Sequence, residues 1–211
     1  MLKRFSDLGI LDELQHSLSD LQISVPTDIQ EKTIPVILHQ QEDVVTLAKT
    51  GTGKTAAFGL PLLQLIDVDK TNIQAVILAP TRELGQQIYT NLVSFSTYLP
   101  AISIATVCGG IPIKPQIERL KSPTHIVVAT PGRLADLVER KAIDIKNISY
   151  FILDEADEMV SALKEGLDAI IKEIPKSRRT LLFTATMPGA IKQLVRSTDR
   201  KARSAVAFLK F

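Results

Sequence analysis

Ala48-Lys49-Thr50-Gly51-Thr52-Gly53-Lys54-Thr55 is the segment that decides the fold of this chain. The apolar run at 44–47 precedes it and Ala56-Ala57-Phe58 follows, which predicts a strand, a tight glycine-rich turn and a helix. In such a turn the backbone N–H groups point inward and, with the positive end of the helix, form a cradle for phosphate. The spacing is that of a P-loop, G-x-x-x-x-G-K-S/T, with alanine in place of the first glycine. It predicts that Lys54 reaches the β- and γ-phosphates and that the Thr55 hydroxyl ligates Mg²⁺. The alternative is an ordinary turn whose lysine is only solvated.

Composition describes one globular domain. The chain has 211 residues, of which 45% are apolar and 23% charged, and no apolar run approaches the ~20 residues that a membrane helix needs. The single cysteine, Cys108, excludes an intramolecular disulfide and is typical of a reducing compartment, so we expect a cytoplasmic protein without membrane contact. The net charge of +2 is too small to indicate a nucleic-acid partner by itself, so any such site must depend on local geometry.

Short apolar runs alternate with segments of helical period. The absence of apolar/polar alternation within the runs predicts strands buried on both faces, as in a parallel sheet covered by helices. We therefore expect an α/β fold, a doubly wound, mostly parallel sheet with helices on both faces. The predicted strands are 43–47, 75–79, 102–107, 126–129, 150–153 and 180–183; the predicted helices are 11–21, one opened by Pro26 that contains Pro35, 54–66, 82–98, 113–121, 132–140, 155–173 and 188–197.

Polar clusters follow almost every predicted strand. In an open parallel sheet the carboxyl ends of the strands lie at one edge, where ligands bind, so these clusters and the P-loop are expected to meet. A single cluster would be explained as a helix cap, but five clusters and the P-loop at one edge are harder to explain in that way. The clusters are Pro80-Thr81-Arg82-Glu83, Gly109-Gly110, Thr130-Pro131-Gly132-Arg133, Asp154-Glu155-Ala156-Asp157 and Thr184-Ala185-Thr186.

The pair Asp154-Glu155 after an apolar strand has the form of a Walker B site. Here the strand-end Asp154 holds Mg²⁺ opposite the P-loop hydroxyl, and Glu155 orients and deprotonates the attacking water. Lys54, Asp154 and Glu155 are thus the candidate catalytic residues, and Thr55 and Asp154 the candidate metal ligands. The alternative is an acidic first helical turn favoured by the helix dipole.

Asp154-Glu155-Ala156-Asp157 makes the chain similar to the DEAD-box ATP-dependent RNA helicases, and residues 3–197 resemble their first RecA-like domain. The resemblance implies ATP and Mg²⁺ as cofactors. It also implies a Q motif formed by Phe5 and Pro26 to Gln30, in which the Gln30 amide reads the adenine edge and Phe5 stacks on the ring. From the residues alone, Phe5 is more readily explained as a core anchor. The implied nucleotide-binding residues are Phe5, Thr27, Gln30, Ala48, Lys49, Thr50, Gly51, Thr52, Gly53, Lys54 and Thr55.

The resemblance also implies contacts to the RNA sugar-phosphate backbone with little sequence preference. Arginine forks and backbone N–H groups at helix N-termini suit phosphate. The RNA-binding set is Pro80, Thr81, Arg82, Gly85, Gly109, Gly110, Thr130, Gly132 and Arg133. The chain departs from the family pattern in three places: Gln22 replaces a usual glycine, Thr184 replaces the serine of a Ser-Ala-Thr motif, and Val160-Ser161-Ala162-Leu163 replaces a usual Gly-Phe pair after a methionine. Since Thr184 keeps the hydroxyl, we expect Thr184 and Thr186 to couple to Asp157.

The resemblance predicts three segments: N-terminal helices with the Q motif at 1–40, a RecA-like ATP-binding core at 41–197, and a C-terminal strand or tail at 198–211. The arginine fingers of the family come from a second RecA-like domain, whose His-Arg-Ile-Gly-Arg-like motif is absent from this sequence. We expect that domain as a partner, and little activity from the chain alone. Two rival hypotheses are an RNA clamp that closes on ATP without turnover, and a GTPase. The Glu155 carboxylate argues against the first, and the lack of an Asn-Lys-x-Asp guanine reader against the second.

Overall fold

A computed structural model describes residues 3–198 and 206–211 of the chain. After a 3-10 turn at Ser6–Leu8, the described helices are α1 Asp12–Asp20, α2 Asp28–His39, α3 Lys54–Leu65, α4 Arg82–Phe95, α5 Ile113–Leu120, α6 Pro131–Glu139, α7 Ala156–Ala162, α8 Lys164–Glu173 and α9 Gly189–Thr198. The described strands are β1 Asp43–Leu47, β2 Ala75–Leu78, β3 Ile104–Val107, β4 Ile126–Ala129, β5 Tyr150–Leu153, β6 Arg179–Thr184 and β7 Val206–Lys210.

The strands form one sheet in the order β3-β4-β2-β5-β6-β1-β7, and every pairing in it is parallel. The predicted doubly wound α/β architecture is therefore confirmed. Strands β2 and β5 lie between β4 and β6, so the central strands are apolar throughout, as the sequence indicated. All carboxyl ends of these strands meet at one edge of the sheet.

Helices cover both faces of the sheet and create two apolar cores. On one face Ile29 of α2, Phe58 of α3 and Ile88 of α4 pack against alternate strand residues such as Ile77 and Ile152. On the other face, Leu134 of α6, Met159 of α7 and Leu167 of α8 pack against strand residues of opposite parity, such as Val76 and Phe151. Because successive side chains of a strand point to opposite faces of the sheet, each strand contributes residues to both cores.

Some predicted element bounds differ from the structure. The predicted helix 155–173 is two helices, because the chain bends at Leu163 (φ −127°, ψ 25°) between α7 and α8. The bend brings α8 against the start of α6, where a Cβ on Gly166 would lie 3.2 Å from the Gly132 nitrogen. Strand β3 begins at Ile104 rather than at 102, and α4 ends at Phe95 rather than at 98.

The N-terminal segment packs on the core through the hydrophobic faces of α1 and α2. Pro35 lies inside α2 without ending it. Gln22, after α1, takes a left-handed backbone conformation (φ 57°) that glycine adopts more readily. At the other terminus β7 is a strand beside β1, whereas residues 199–205 of the predicted C-terminal segment lie outside the described residues. None of the helices in residues 3–198 and 206–211 is long and apolar enough to cross a membrane.

Replacing Phe183 by alanine should strongly destabilise the domain. The ring is fully buried on β6 and lies 5.1 Å from the ring of Phe58 on α3, so truncation leaves a cavity between sheet and helix. We expect a loss of about 3–5 kcal/mol in the free energy of unfolding, measured by urea denaturation. The matched variant Phe208→Ala, at a ring that is 60% exposed, should cost less than about 1 kcal/mol. Equal losses in the two variants would contradict the assignment of Phe183 to the core.

Candidate nucleotide and nucleic-acid site

The P-loop is the turn between β1 and α3, as predicted. Gly51 and Gly53 have φ values of 82° and 90°, and α3 begins at Lys54, so the loop closes directly onto a helix N-terminus. The Ala48 nitrogen donates to the carbonyl oxygen of Thr184 at 3.0 Å, which fixes the start of the loop to the end of β6. The cradle therefore stands at the carboxyl edge of the sheet.

Lys54 and the acidic pair form the charged centre of the site. The Lys54 Nζ lies 3.4 Å from Asp154 Oδ1 and 3.8 Å from Glu155 Oε1, and only 6% of the lysine is exposed. These distances exceed those of strong charge-assisted hydrogen bonds, about 2.8 Å, and Nζ makes no hydrogen bond to the described residues. Burial raises the pKa of Asp154, while the Lys54 ammonium acts in the opposite direction. A buried ammonium with donors to spare is suited to phosphate oxygens.

Glu155 occupies an unusual backbone position. It precedes α7 in the left-handed region (φ 53°, ψ 51°), which is costly for a residue with a Cβ. Its Oε1 accepts a hydrogen bond of 3.0 Å from the Thr50 hydroxyl of the P-loop, and its nitrogen donates to Asp154 Oδ1 at 3.1 Å. The carboxylate is thereby held against the P-loop.

The Q-motif residues contact the P-loop directly. Thr27 and Gln30 form a capping box at the start of α2, in which Gln30 Oε1 accepts from the Thr27 nitrogen at 2.9 Å. The other end of the Gln30 amide donates to the Gly53 carbonyl at 3.1 Å, and the Thr27 hydroxyl donates to the Thr52 carbonyl at 2.9 Å. A Cβ on Gly53 would lie 2.5 Å from Gln30 Nε2, so this close approach requires glycine. Sequence analysis did not predict this contact.

A cavity of about 410 Å³ adjoins these groups. Its polar wall is formed by the P-loop, Gln30, Asp154 and Glu155, and its other wall by α4 and the α1–α2 connection. Phe5 is not among its lining residues; the ring is 4% exposed and belongs to the core, so the structure supports the core-anchor alternative for Phe5. Sequence reasoning missed the remaining lining residues, which are Leu21, Ile23, Ala56, Leu84, Gln87, Asn91, Ser94 and Phe95. Those on α4 were predicted only as part of a helix.

The residues assigned to RNA form a patch at the same edge. The Gly109 nitrogen donates to the Thr130 hydroxyl at 3.0 Å, and Arg133 Nη2 donates to the Ile111 carbonyl at 2.9 Å. Exposed Arg82 begins α4 behind its N-cap Thr81, and its guanidinium lies close to Gly110. Gly132, at the start of α6, is exposed, and Pro80 is partly exposed.

The structure argues against the prediction that Gly85 contacts RNA. Gly85 is buried, its nitrogen donates to the Thr81 carbonyl, and a Cβ there would lie 3.0 Å from the sulfur of Cys108. It is therefore a packing glycine between α4 and the end of β3, without a surface for RNA. Conversely, sequence analysis missed Gln116 of α5, whose buried Nε2 donates to the carbonyls of Cys108 and Pro112. These two bonds fix the backbone on either side of Gly109 and Gly110.

Asp157 and the end of β6 are directly linked. Asp157 Oδ2 accepts hydrogen bonds from the Thr186 nitrogen at 3.1 Å and from its hydroxyl at 2.8 Å. The Thr184 hydroxyl donates to the Thr186 carbonyl, so it shapes the turn. Burial by itself raises the pKa of Asp157, but hydrogen bonds, chiefly those of Thr186, outweigh it and hold the pKa below its ordinary value of 3.8.

Residues 27–194 match the family model of the DEAD/DEAH box helicases. The chain belongs to that family. It is 46% identical to the DEAD-box ATP-dependent RNA helicase CshA of Streptococcus pneumoniae over 192 residues, and 44% identical to the ATP-dependent RNA helicase CshA of Limosilactobacillus reuteri. Each match covers 90% of this chain but only 36% and 38% of those proteins.

Solved structures of the family share the fold. A DEAD box protein from the hyperthermophile Methanococcus jannaschii matches with a TM-score of 0.88 at 38% identity, covering 98% of this chain and 55% of that one. Dbp5 of S. cerevisiae, bound to RNA and ADP BeF3, matches with a TM-score of 0.86 at 29% identity, covering 99% and 52%. The chain is thus a single RecA-like P-loop domain of a DEAD-box helicase, about half the length of these chains.

Neutralising Asp157 should make the stability of the domain less dependent on pH. Because the folded pKa lies below the unfolded value of 3.8, the ionised carboxylate stabilises the fold above that pH, and this contribution disappears as the pH falls through the folded pKa. Wild type should exceed Asp157→Asn by up to about 1 kcal/mol at pH 7, with the difference vanishing in acid. Urea midpoints across the pH range measure it. The control Asp168→Asn changes an exposed carboxylate on α8 and should follow wild type; a pH-independent difference for Asp157→Asn would contradict the link.

Proposed function

We propose that this chain is the ATP- and RNA-binding domain of an ATP-dependent RNA helicase, which couples ATP hydrolysis to RNA duplex unwinding together with a second RecA-like domain. The observation that carries the proposal is the convergence of Lys54, Thr55, Asp154 and Glu155 on one cavity, a short distance from the basic and glycine-rich patch. The names of the CshA relatives and the RNA-bound state of Dbp5 support it. The second domain is proposed because the chain spans about half or less of these proteins. The cytoplasmic location remains a prediction.

In this proposal the P-loop holds the phosphates of ATP. The N–H groups of the turn and of the α3 N-terminus face the α- and β-phosphates, and Lys54 moves from the carboxylates onto the terminal phosphates. Lys49 and Thr52 shape the outer turn, where the Thr52 hydroxyl donates to the Lys49 carbonyl at 2.8 Å.

The donor set of the cavity fits Mg²⁺. Asp154 offers a buried carboxylate and Thr55 a hydroxyl, and both line the same cavity; hard oxygen ligands of this kind suit Mg²⁺. When bound, the ion would neutralise charge on the β- and γ-phosphates. Asp154 and Thr55 would hold the ion, and Lys54, which lies 3.4 Å from Asp154 Oδ1, is the cation of this chain proposed for the phosphates.

The adenine base is proposed to bind in the same cavity beside Gln30. The amide retains one N–H and one lone pair beyond its two present bonds, which matches the donor and acceptor on the edge of adenine. Leu21, Ile23 and Phe95 supply an apolar wall for the ring. Phe5 contributes by anchoring the N-terminal turn in the core, and it could stack on the base only if that turn rearranged.

Glu155 is the proposed general base. It takes a proton from water as the water oxygen bonds to the γ-phosphorus and the bond from γ-phosphorus to the bridging oxygen breaks, which yields ADP and phosphate. For this step Thr50 must release the carboxylate or turn with it. Among residues 3–198 and 206–211 we assign no cation to the far side of the γ-phosphate, and we propose that the second domain supplies an arginine there.

RNA is proposed to lie across the patch with its phosphates on Arg82, Arg133 and the N–H groups near Gly110 and Gly132. Arg133 Nη1 has no partner within residues 3–198 and 206–211 but is shielded from water, so the guanidinium would have to turn to present it to a phosphate oxygen. Backbone recognition of this kind carries little sequence preference. Asp157 and Thr186 connect the two sites, because α7 and the end of β6 meet between the P-loop edge and the patch.

Removing the Lys54 ammonium should weaken ATP more than ADP. Lys54→Ala loses a charged contact to the terminal phosphates, worth about 1.5–3 kcal/mol, or roughly tenfold to hundredfold in the ATP affinity. Calorimetric titration with Mg²⁺ and each nucleotide measures the difference. Lys172→Ala, at an exposed position of α8, is the control and should bind as wild type. An unchanged ATP affinity in Lys54→Ala would refute the phosphate site.

Glu155→Gln, tested in the chain joined to a second RecA-like domain, should abolish turnover and retain binding. The amide keeps the size and hydrogen bonding of the side chain but cannot take the proton; loss of a general base costs typically 10²–10⁴-fold. RNA-stimulated ATP hydrolysis and strand displacement are the measurements, with Glu158→Gln on α7 as the matched control. Near wild-type hydrolysis by Glu155→Gln would show that another group is the base.

The chain alone should show little RNA-stimulated ATP hydrolysis or strand displacement. Robust turnover by residues 1–211 alone would refute the two-domain proposal.

A further inference from the structure

Helix α2 is held at both ends by polar contacts. At its start, Gln30 donates to the Gly53 carbonyl of the P-loop. At its end, the guanidinium of Arg179 donates to the carbonyls of Val36 and Ile37 in the last turn, and its Nε donates to the Glu42 carbonyl at 2.7 Å. Arg179 is the first residue of β6 and only 4% exposed, so these are buried bonds between the sheet and the helix.

The last turn of α2 needs such an anchor for two reasons, and the helix dipole adds a third. The final carbonyls of a helix lack intrahelical donors, and a buried carbonyl without a donor is costly. This applies to Ile37, whereas the Val36 carbonyl also accepts from the Gln40 nitrogen at 3.1 Å. In addition, Pro35 has no N–H, so the hydrogen bond that would join the last turn to the turn of Gln30 is absent at that position. A cation at a helix C-terminus is also favoured by the dipole. Arg179 meets all three requirements with one planar group.

The anchor and the base-reading amide are about 9 Å apart along the axis, six residues at 1.5 Å each. The Gln30 amide donates to the Gly53 carbonyl at 3.1 Å. A small tilt or translation of α2 would therefore change the length and angle of this hydrogen bond. The opposite end of β6 carries Thr184, whose carbonyl accepts from Ala48 at the start of the P-loop. One strand therefore fixes both α2 and the P-loop that α2 contacts.

We propose that Arg179 is a positioning residue of the nucleotide site, which sets the position of Gln30 against the P-loop and the base by fixing the C-terminal turn of α2. The inference rests on the proposed function, in which Gln30 recognises adenine. Its consequence is that a residue at the opposite edge of the sheet from the cavity controls the preference for adenine over guanine.

The test is a double-mutant cycle on the 211-residue chain, with ADP and GDP affinities measured by calorimetry. The variants are Arg179→Lys, Gln30→Ala and their combination. Lysine keeps the charge but cannot serve three carbonyls with a planar fork. The matched control is Arg178→Lys: the neighbouring arginine is equally buried, but it faces the ring of Phe151 and the Pro175 carbonyl. Circular dichroism and thermal melts of each variant report the fold.

We expect Arg179→Lys to weaken ADP binding by about threefold to tenfold, the range of a lost hydrogen bond, and to lower the ADP/GDP affinity ratio. In the Gln30→Ala background the same substitution should change neither quantity, because the residue through which Arg179 acts is gone. Arg178→Lys should lower the melting temperature without changing the affinity ratio.

An equal loss of ADP affinity in both backgrounds, or no loss in either, would overturn the positioning role. If Arg179→Lys does not fold, Arg179→Gln takes its place in the cycle, and failure of both to fold would overturn the proposal in favour of a purely structural role. The single variant Gln30→Ala tests the proposed adenine site separately. If that site is wrong, Gln30→Ala leaves the ratio of ADP to GDP affinity unchanged.

Discussion

The structure depends on a contact between charges that the sheet brings together across two strand spacings. Lys54 follows β1 and Asp154 follows β5, with β6 between them, so their strands are roughly 10 Å apart. The P-loop and the side chain of Lys54 together span this gap, which leaves Nζ 3.4 Å from Asp154 Oδ1. Because both charged groups are buried, each leaves the other incompletely satisfied, and burying charges without full pairing is unfavourable. This unfavourable burial of charge occurs at the proposed phosphate site.

The parallel order of the strands explains why so much of this site could be predicted from the sequence. Runs of buried apolar residues between helices are typical of parallel strands, and the carboxyl ends of such strands share one edge. The P-loop, the acidic pair and the patch around Gly109 and Thr130 were therefore expected to lie together on sequence pattern alone. The residue types were also informative, because the glycine, lysine and threonine spacing of the P-loop is typical of phosphate binding.

The remaining features depend on tertiary contacts that no local pattern encodes. The left-handed backbone of Glu155 is held by the turn after β5 and by Thr50, which is more than one hundred residues away. The break at Leu163 reflects the close packing of Gly166 on α6, although the helical period runs through it. Gly85 was predicted to contact RNA, but the sulfur of Cys108 fills the space where its side chain would be. Phe5 had two explanations, and burial decided between them.

The P-loop is contacted from three sides by different parts of the chain, and this bears on how binding could be transmitted. The Q-motif amide of Gln30 bonds its Gly53 carbonyl, Glu155 bonds Thr50, and the end of β6 bonds Ala48. Each contact belongs to an element that also has another role, since α2 carries the proposed base reader, the acidic turn carries the proposed general base, and β6 leads into the Asp157–Thr186 link. In the proposed function, a phosphate in the cradle would compete with the carboxylates for Lys54 and with Thr50 for Glu155, and would so act on the turn that begins α7. Because α7 also carries Asp157, this effect would reach the end of β6 within one helical turn. The proposed function thus gives a single domain hydrogen bonds through which it would register the terminal phosphate, and it assigns the other face of that phosphate to the proposed second domain.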